Sequence, residues 1–155
     1  MSAMRHSRAD VVERTVREFD ALEALVVRLQ PEDWSRLVPR PETRDAWTLK
    51  DALVHIVYWK AHSARVFRGE KRPPQLRGLD VPRLNHLIWE QWRDRSCVDV
   101  VAWHREVHAE VMRTLASKPE AWFSQREHAA AWPADFDGHS AGHRIKDLER
   151  ALEVG

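Results

Sequence analysis

Apolar side chains recur every three or four positions along most of this chain, which is the period of a helix with one buried face. Val12, Thr15, Phe19, Leu22, Val26 and Leu29 mark a first helix from about Ser7 to Gln30. Ser7 with Asp10 suits its start, and Pro31 disfavours continuation past Gln30. Pro31 to Trp34 reads as one helical turn, and 35–46 as a loop holding Pro39 and Pro41. A second helix follows Thr48, its N-cap, with Asp51 three residues on in the place of a capping-box acid. Leu49, Leu53, Ile56 and Phe67 form one apolar edge of it, with Ala52, His55, Trp59, His62 and Val66 alongside. It is predicted to stop near Arg68, where Gly69 supplies the left-handed residue.

Residues 71–80, with Pro73-Pro74, read as a long irregular crossover. A third stretch opens near Pro82 and carries Leu84, Leu87, Ile88 and Trp92. Ser96 and Asp99 resemble a second cap, so helix is expected to restart there and run through Val100, Val107, Val111 and Leu115 to Pro119. A short turn over 120–123 and a loop over 125–137 lead to a last helix over about 138–153, with Asp137 as its N-cap. Such stripes bury one another in an all-α, four-helix bundle, one domain over 1–155. The long second-to-third crossover allows those two helices to run parallel.

Composition supports helix, with only 5 glycines among 155 residues. The 25 basic and 24 acidic side chains leave a net charge of +1, so nothing in the charge argues for nucleic acid or an anionic membrane. No apolar run approaches the ~20 residues of a membrane span, and no apolar stretch follows the N-terminal basic residues as in a signal peptide. Cys97 is the single cysteine and cannot form an internal disulfide, which fits a reducing cytoplasm. The 8 tryptophans are many for this length. Most are expected in packing at the core and bundle ends, where indole joins a large apolar body to one donor. The alternative is that two or three line a ligand cleft.

The candidate chemistry lies in the histidines. His55 sits in an otherwise apolar helix, and His139 and His143 stand four residues apart near the C-terminus. Two such residues lie about 40° apart on a helix and reach one ion, and three imidazoles leave a position open on zinc, nickel or iron. Against this, His139 and His143 point roughly 150° away from the apolar edge formed by Ile145, Leu148 and Leu152. His104 and His108 have the same spacing and fall on the apolar face of their helix, as core histidines or as part of a central pocket. His6 and His128 read as solvated surface, and His62 and His86 as helix-face packing.

The run Trp47-Thr48-Leu49-Lys50-Asp51, followed by Leu53, His55, Ile56 and Trp59, is similar to the second-helix signature of the DinB-like superfamily. Asn85 resembles the asparagine those proteins carry at the start of helix three, His108 a histidine ahead of an aliphatic stretch, and His139 with His143 their last-helix pair. Within the superfamily the chain most resembles the ClbS/DfsB-like family, with an echo of the mycothiol-dependent maleylpyruvate isomerase N-terminal domain. It departs at Ser140, where an aromatic residue is common, and at Asp147, where an aliphatic one is common.

The resemblance covers 11–152 and implies a bundle with a pocket at one end. A divalent ion would be held there by His55, His139 and His143. It also implies a hydrolase or a transferase that takes a low-molecular-weight thiol such as bacillithiol or mycothiol. Since no cysteine lies in these motifs, any thiol nucleophile would come from a small molecule. Tyr58, Trp59 and Trp89 would form the apolar wall against a small-molecule substrate, and Asn85 would orient it. A metal-free hydrolase opening a strained ring would use His108 or His55 as general base. Two other expectations stay open: a protein that sequesters a reactive small molecule without turnover, and a bundle whose main partner is a second copy of itself.

Overall fold

The computed structural model of the chain describes residues 6–39, 46–124 and 139–153, with the side chains of 139–144 outside the description. Helix α1 spans Arg8–Val27, α2 Leu49–Phe67, α3 Val81–Trp92, α4 Cys97–Ser117, α5 Glu120–Phe123 and α6 His139–Glu153. Short 3-10 turns cover Pro31–Ser35 and Pro74–Leu76. The architecture is an all-α bundle. Among the described residues there is no strand, only an isolated antiparallel bridge between Leu37 and Thr48.

The caps form where the sequence places them. Ser7 Oγ accepts from Asp10 N, and Ser96 Oγ from Asp99 N, each at 3.1 Å. Thr48 and Asp51 make a reciprocal capping box, satisfying two backbone donors that a helix start otherwise leaves open. Gly69 has φ +75°, in the left-handed region that ends α2.

Helices α1 and α2 do not pair face to face. Instead α4 and α6 each pack against both, so the four close a ring. Helix α2 is the most enclosed, because α3 covers a further side of it. That is why Asp51, Val54, Val57 and Tyr58 are buried along with the expected edge of Leu49, Leu53 and Ile56. Phe67, expected on that edge, is only partly buried.

Ion pairs and hydrogen bonds fix the directions. Lys50 Nζ at the start of α2 donates to Arg93 O, just before α4, and Arg68 at the end of α2 meets Glu110 and Thr114 late in α4. The two helices therefore run parallel. Arg8 at the start of α1 donates to Lys118 O, while Glu23 near its end holds Arg105, so α1 runs against α4. The irregular segment does not make the crossover alone. Helix α3 returns antiparallel along α2, with Asn85 opposite Trp59 and Trp89 opposite Asp51. Only then does Ser96 restart the chain as α4.

His6 was expected on the surface and is buried, with 6% exposure. The N-cap at Asp137 and the loop over 125–137 lie outside the described residues. No helix among the described residues is long and apolar enough to cross a membrane.

Candidate functional site

A narrow cleft with a cavity volume of about 10 Å³ opens between the first half of α2 and α3. Trp47, Asp51, Val54, His55, Tyr58, Asn85, Ile88 and Trp89 line it. That is room for about one water molecule, so the cleft admits a single small polar group or one end of a larger molecule.

The cleft follows from local structure. On α2, positions 51, 54, 55 and 58 share one face because three- and four-residue steps return to the same side of a helix. The bridge beside Thr48, with Val38 N on Trp47 O at 2.9 Å and Leu49 N on Arg36 O at 2.8 Å, pins Trp47 at the helix start. From there its ring covers His55, with centroids 4.8 Å apart and planes at 47°. Trp59 also meets His55, edge-on at 6.3 Å.

Two indoles lock α3 onto α2. Trp59 Nε1 donates to Asn85 Oδ1 at 3.1 Å, and Trp89 Nε1 donates to Asp51 Oδ2 at 3.2 Å. Asp51 Oδ2 also accepts from Thr48 N at 2.9 Å, so this carboxylate both caps α2 and holds α3. Asn85, expected to orient substrate, thus also orients Trp59.

Two donors in the cleft have no such partner. Trp47 Nε1 and Tyr58 Oη are buried without a hydrogen bond among the described residues, and their residues are only 3% and 5% exposed. A buried donor left unmatched costs about 1–3 kcal/mol, so its presence in a lined cleft points to a ligand or solvent group as acceptor.

The sequence-predicted site residues therefore divide. His55, Tyr58, Trp89 and Asn85 line the cleft, and Trp59 stands directly behind His55 and Asn85. His108 does not line it. The ring of His108 stacks on Phe19 of α1 at 3.7 Å, and His104 stacks on the same phenyl at 4.8 Å. Helix α4 turns these two imidazoles toward α1 because they continue its stripe with Val107 and Val111. Of the two expectations for His108, a core histidine or part of a central pocket, the stacking on Phe19 fits the first, and the residue stands outside the cleft that Asn85 lines.

A separate ionisable cluster surrounds His104 and His108. Burial, then the charge of Lys60, pushes His104 down to about 4, with Glu23 opposing. His108 is lowered for the same two reasons, against Asp20 and Glu23. Burial lowers Lys60 to about 8, with Glu18 opposing. Glu23 Oε2 lies 3.3 Å from His104 Nε2, although that nitrogen forms no hydrogen bond.

For a metal, the described residues supply one histidine in the cleft, His55. No three His, Cys, Asp or Glu side chains converge among the described residues. The backbone of His139 and His143 belongs to α6, which packs on α2, but their side chains lie outside the described residues. Trp47 as a wall and Asp51 as a clamp on Trp89 were not assigned to the site from sequence. The signal for Asp51 was its four-residue spacing to His55, visible only once α3 is known to cover that face, whereas Trp47 precedes the helix and carried no such spacing.

No family model matches the chain, and no curated protein matches it. Among solved structures, the crystal structure of an uncharacterised protein from Escherichia coli UTI89 superposes with a TM-score of 0.70 at 11% identity, over 96% of each chain. At that identity the two chains are alike in fold.

Proposed function

We propose that this chain is a DinB-like protein of the ClbS/DfsB type that binds a small electrophile in the α2–α3 cleft and hydrolyses it. The observation that carries this reading is the pairing of two unmatched buried donors, Trp47 Nε1 and Tyr58 Oη, with an imidazole, His55, on the walls of one cleft. The donors would take the electrophile's oxygen, where negative charge grows as it is attacked. His55, in ring contact with Trp47 and Trp59, would remove a proton from the attacking water. Asn85, tied to Trp59, would orient the substrate's polar arm.

The test is turnover of an activated ester and of a strained epoxide by wild type, His55→Gln and Tyr58→Phe, in chelator and after zinc loading. Loss of about 10²-fold or more in His55→Gln without metal supports the general base. Equal rates in wild type and His55→Gln reject hydrolysis at this site. Saturable binding of the probe without turnover assigns the cleft to sequestration instead.

A second reading is favoured by the packing of α6, which carries His139 and His143, against α2, which carries His55. These three histidines would hold zinc, nickel or iron, and the ion would acidify a bound water or a small-molecule thiol. Bound metal counted per chain decides it: one equivalent in wild type, lost in His143→Ala, supports the triad. No retention after loading with all three metals rejects it.

A further inference from the structure

The lining face of α2 continues beyond the cleft. Tyr58, His62 and Arg65 follow one another at steps of four and three, so their side chains stack along one side of the helix. The guanidinium of Arg65 lies over the Tyr58 ring, 5.6 Å from its centroid. The Tyr58 and His62 rings are near parallel, at 6.3 Å and 14°. Arg72, from the segment after α2, acts on the same spot. Burial first, then the charges of Arg72 and Arg65, hold His62 below the usual imidazole range.

Four polar atoms of this stack are buried without a hydrogen-bond partner among the described residues: Tyr58 Oη, His62 Nδ1, Arg65 Nε and Arg65 Nη2. Two other arginines of the molecule set the same guanidinium edge on a carboxylate. Arg68 sets Nε and Nη2 on the two oxygens of Glu70 at 2.9 and 3.0 Å. Arg105 sets the same pair on the carboxylate of Glu23 at 3.2 and 2.7 Å. Two parallel N–H groups fit a carboxylate, and the pairing is about twice as strong as a neutral hydrogen bond. Glu70 also feels the charge of Arg65, but its two oxygens are engaged by Arg68.

We propose that Arg65, with Tyr58, His62 and Arg72, anchors a carboxylate carried by a small-molecule ligand, beside the cleft that holds His55. Tyr58 joins the two regions, since it lines the cleft and lies under the guanidinium. The ligand is thereby a compact carboxylic acid, with its carboxylate on Arg65. The anchor goes beyond the hydrolytic reading and does not depend on it, because none of its contacts uses His55.

The test is calorimetric titration of the full chain with acetate and with malonate, at ionic strength held constant with sodium chloride, and with acetamide as the uncharged control. Saturable binding of either carboxylate is expected. It should weaken at least tenfold in Arg65→Met, which keeps an unbranched side chain over Tyr58, and less in Arg65→Lys, which keeps the charge without the fork. His55→Gln should bind the carboxylate as wild type does, which separates failure of this site from failure of hydrolysis. The His62 imidazole, followed by NMR, should titrate at higher pH when the carboxylate is bound, because an anion offsets the two arginines. If Arg65→Met loses its fold, Arg72→Met carries the test, with binding several-fold weaker. No saturation in wild type, an equal response to acetamide, or undiminished binding in folded Arg65→Met or Arg72→Met would overturn the proposal.

Discussion

Replacing Asp51 by alanine probes the point where sequence-local and tertiary structure meet. One oxygen of this carboxylate, Oδ2, accepts from Thr48 N at 2.9 Å and from Trp89 Nε1 at 3.2 Å. Loss of the capping partner costs about 1 kcal/mol, taken from measured cap substitutions. Leaving the half-buried indole N–H of Trp89 unmatched adds about 1 kcal/mol, the low end for an orphaned donor because the ring is only partly enclosed. The sum is about 2 kcal/mol. With a urea slope of roughly 1–3 kcal/mol per molar, the unfolding midpoint should fall by about 1 M.

Asp51→Asn keeps an oxygen where both donors point, so it should cost about half as much. The indole bond is isolated by a double-mutant cycle with Trp89→Phe, whose coupling should be about 1 kcal/mol. The reasoning is refuted if Asp51→Ala unfolds within about 0.5 kcal/mol of wild type, which is the range of an ordinary surface change. It is also refuted if the two substitutions add to within about 0.3 kcal/mol, as distant sites do.

Two pH-dependent predictions come from the cluster between α1, α2 and α4. Lys60 titrates near 8 in the folded chain against 10.5 ordinarily, so between these values the unfolded chain binds more protons and wild-type stability rises with pH. Lys60→Met should therefore be more stable than wild type at pH 7, by ~1–2 kcal/mol after allowing for partial exposure, with the gap closing toward pH 10.5 in urea titrations. An unchanged gap across that range would show that Lys60 is not held neutral by burial. His104 is lowered to about 4 from 6.5, so its contribution is complete above pH 6.5 and is lost as pH falls toward 4, where the unfolded chain takes up the proton first. Between pH 7 and 4, His104→Phe should lose ~2 kcal/mol less stability than wild type, and parallel acid-unfolding curves would contradict this.

The local devices of this fold could be read from the chain alone. Ser7, Thr48 with Asp51, Ser96 and Gly69 end or begin helices through atoms within a few residues of each other, so neighbouring sequence determines them. The apolar stripes likewise determined that the chain is a helical bundle, because burial of a repeating face needs a partner face and little else. The candidate site was partly legible. His55, Tyr58, Trp89 and Asn85 meet in one cleft, whereas His108, of the same residue type and a similar helical setting, looks toward Phe19.

Periodicity gives the angle of a side chain on its own helix but not which neighbour that angle faces. Only the packing of α3 back along α2 turned Asp51 from a simple cap into a clamp on Trp89. The same packing buried Tyr58 with a hydroxyl unmatched among the described residues. The same holds for Arg65. Arg68, three residues later, caps α2 and reaches Glu70 two residues on, and only the tertiary structure decides that Arg68 also meets Glu110 of α4 while Arg65 is left with its fork unfilled.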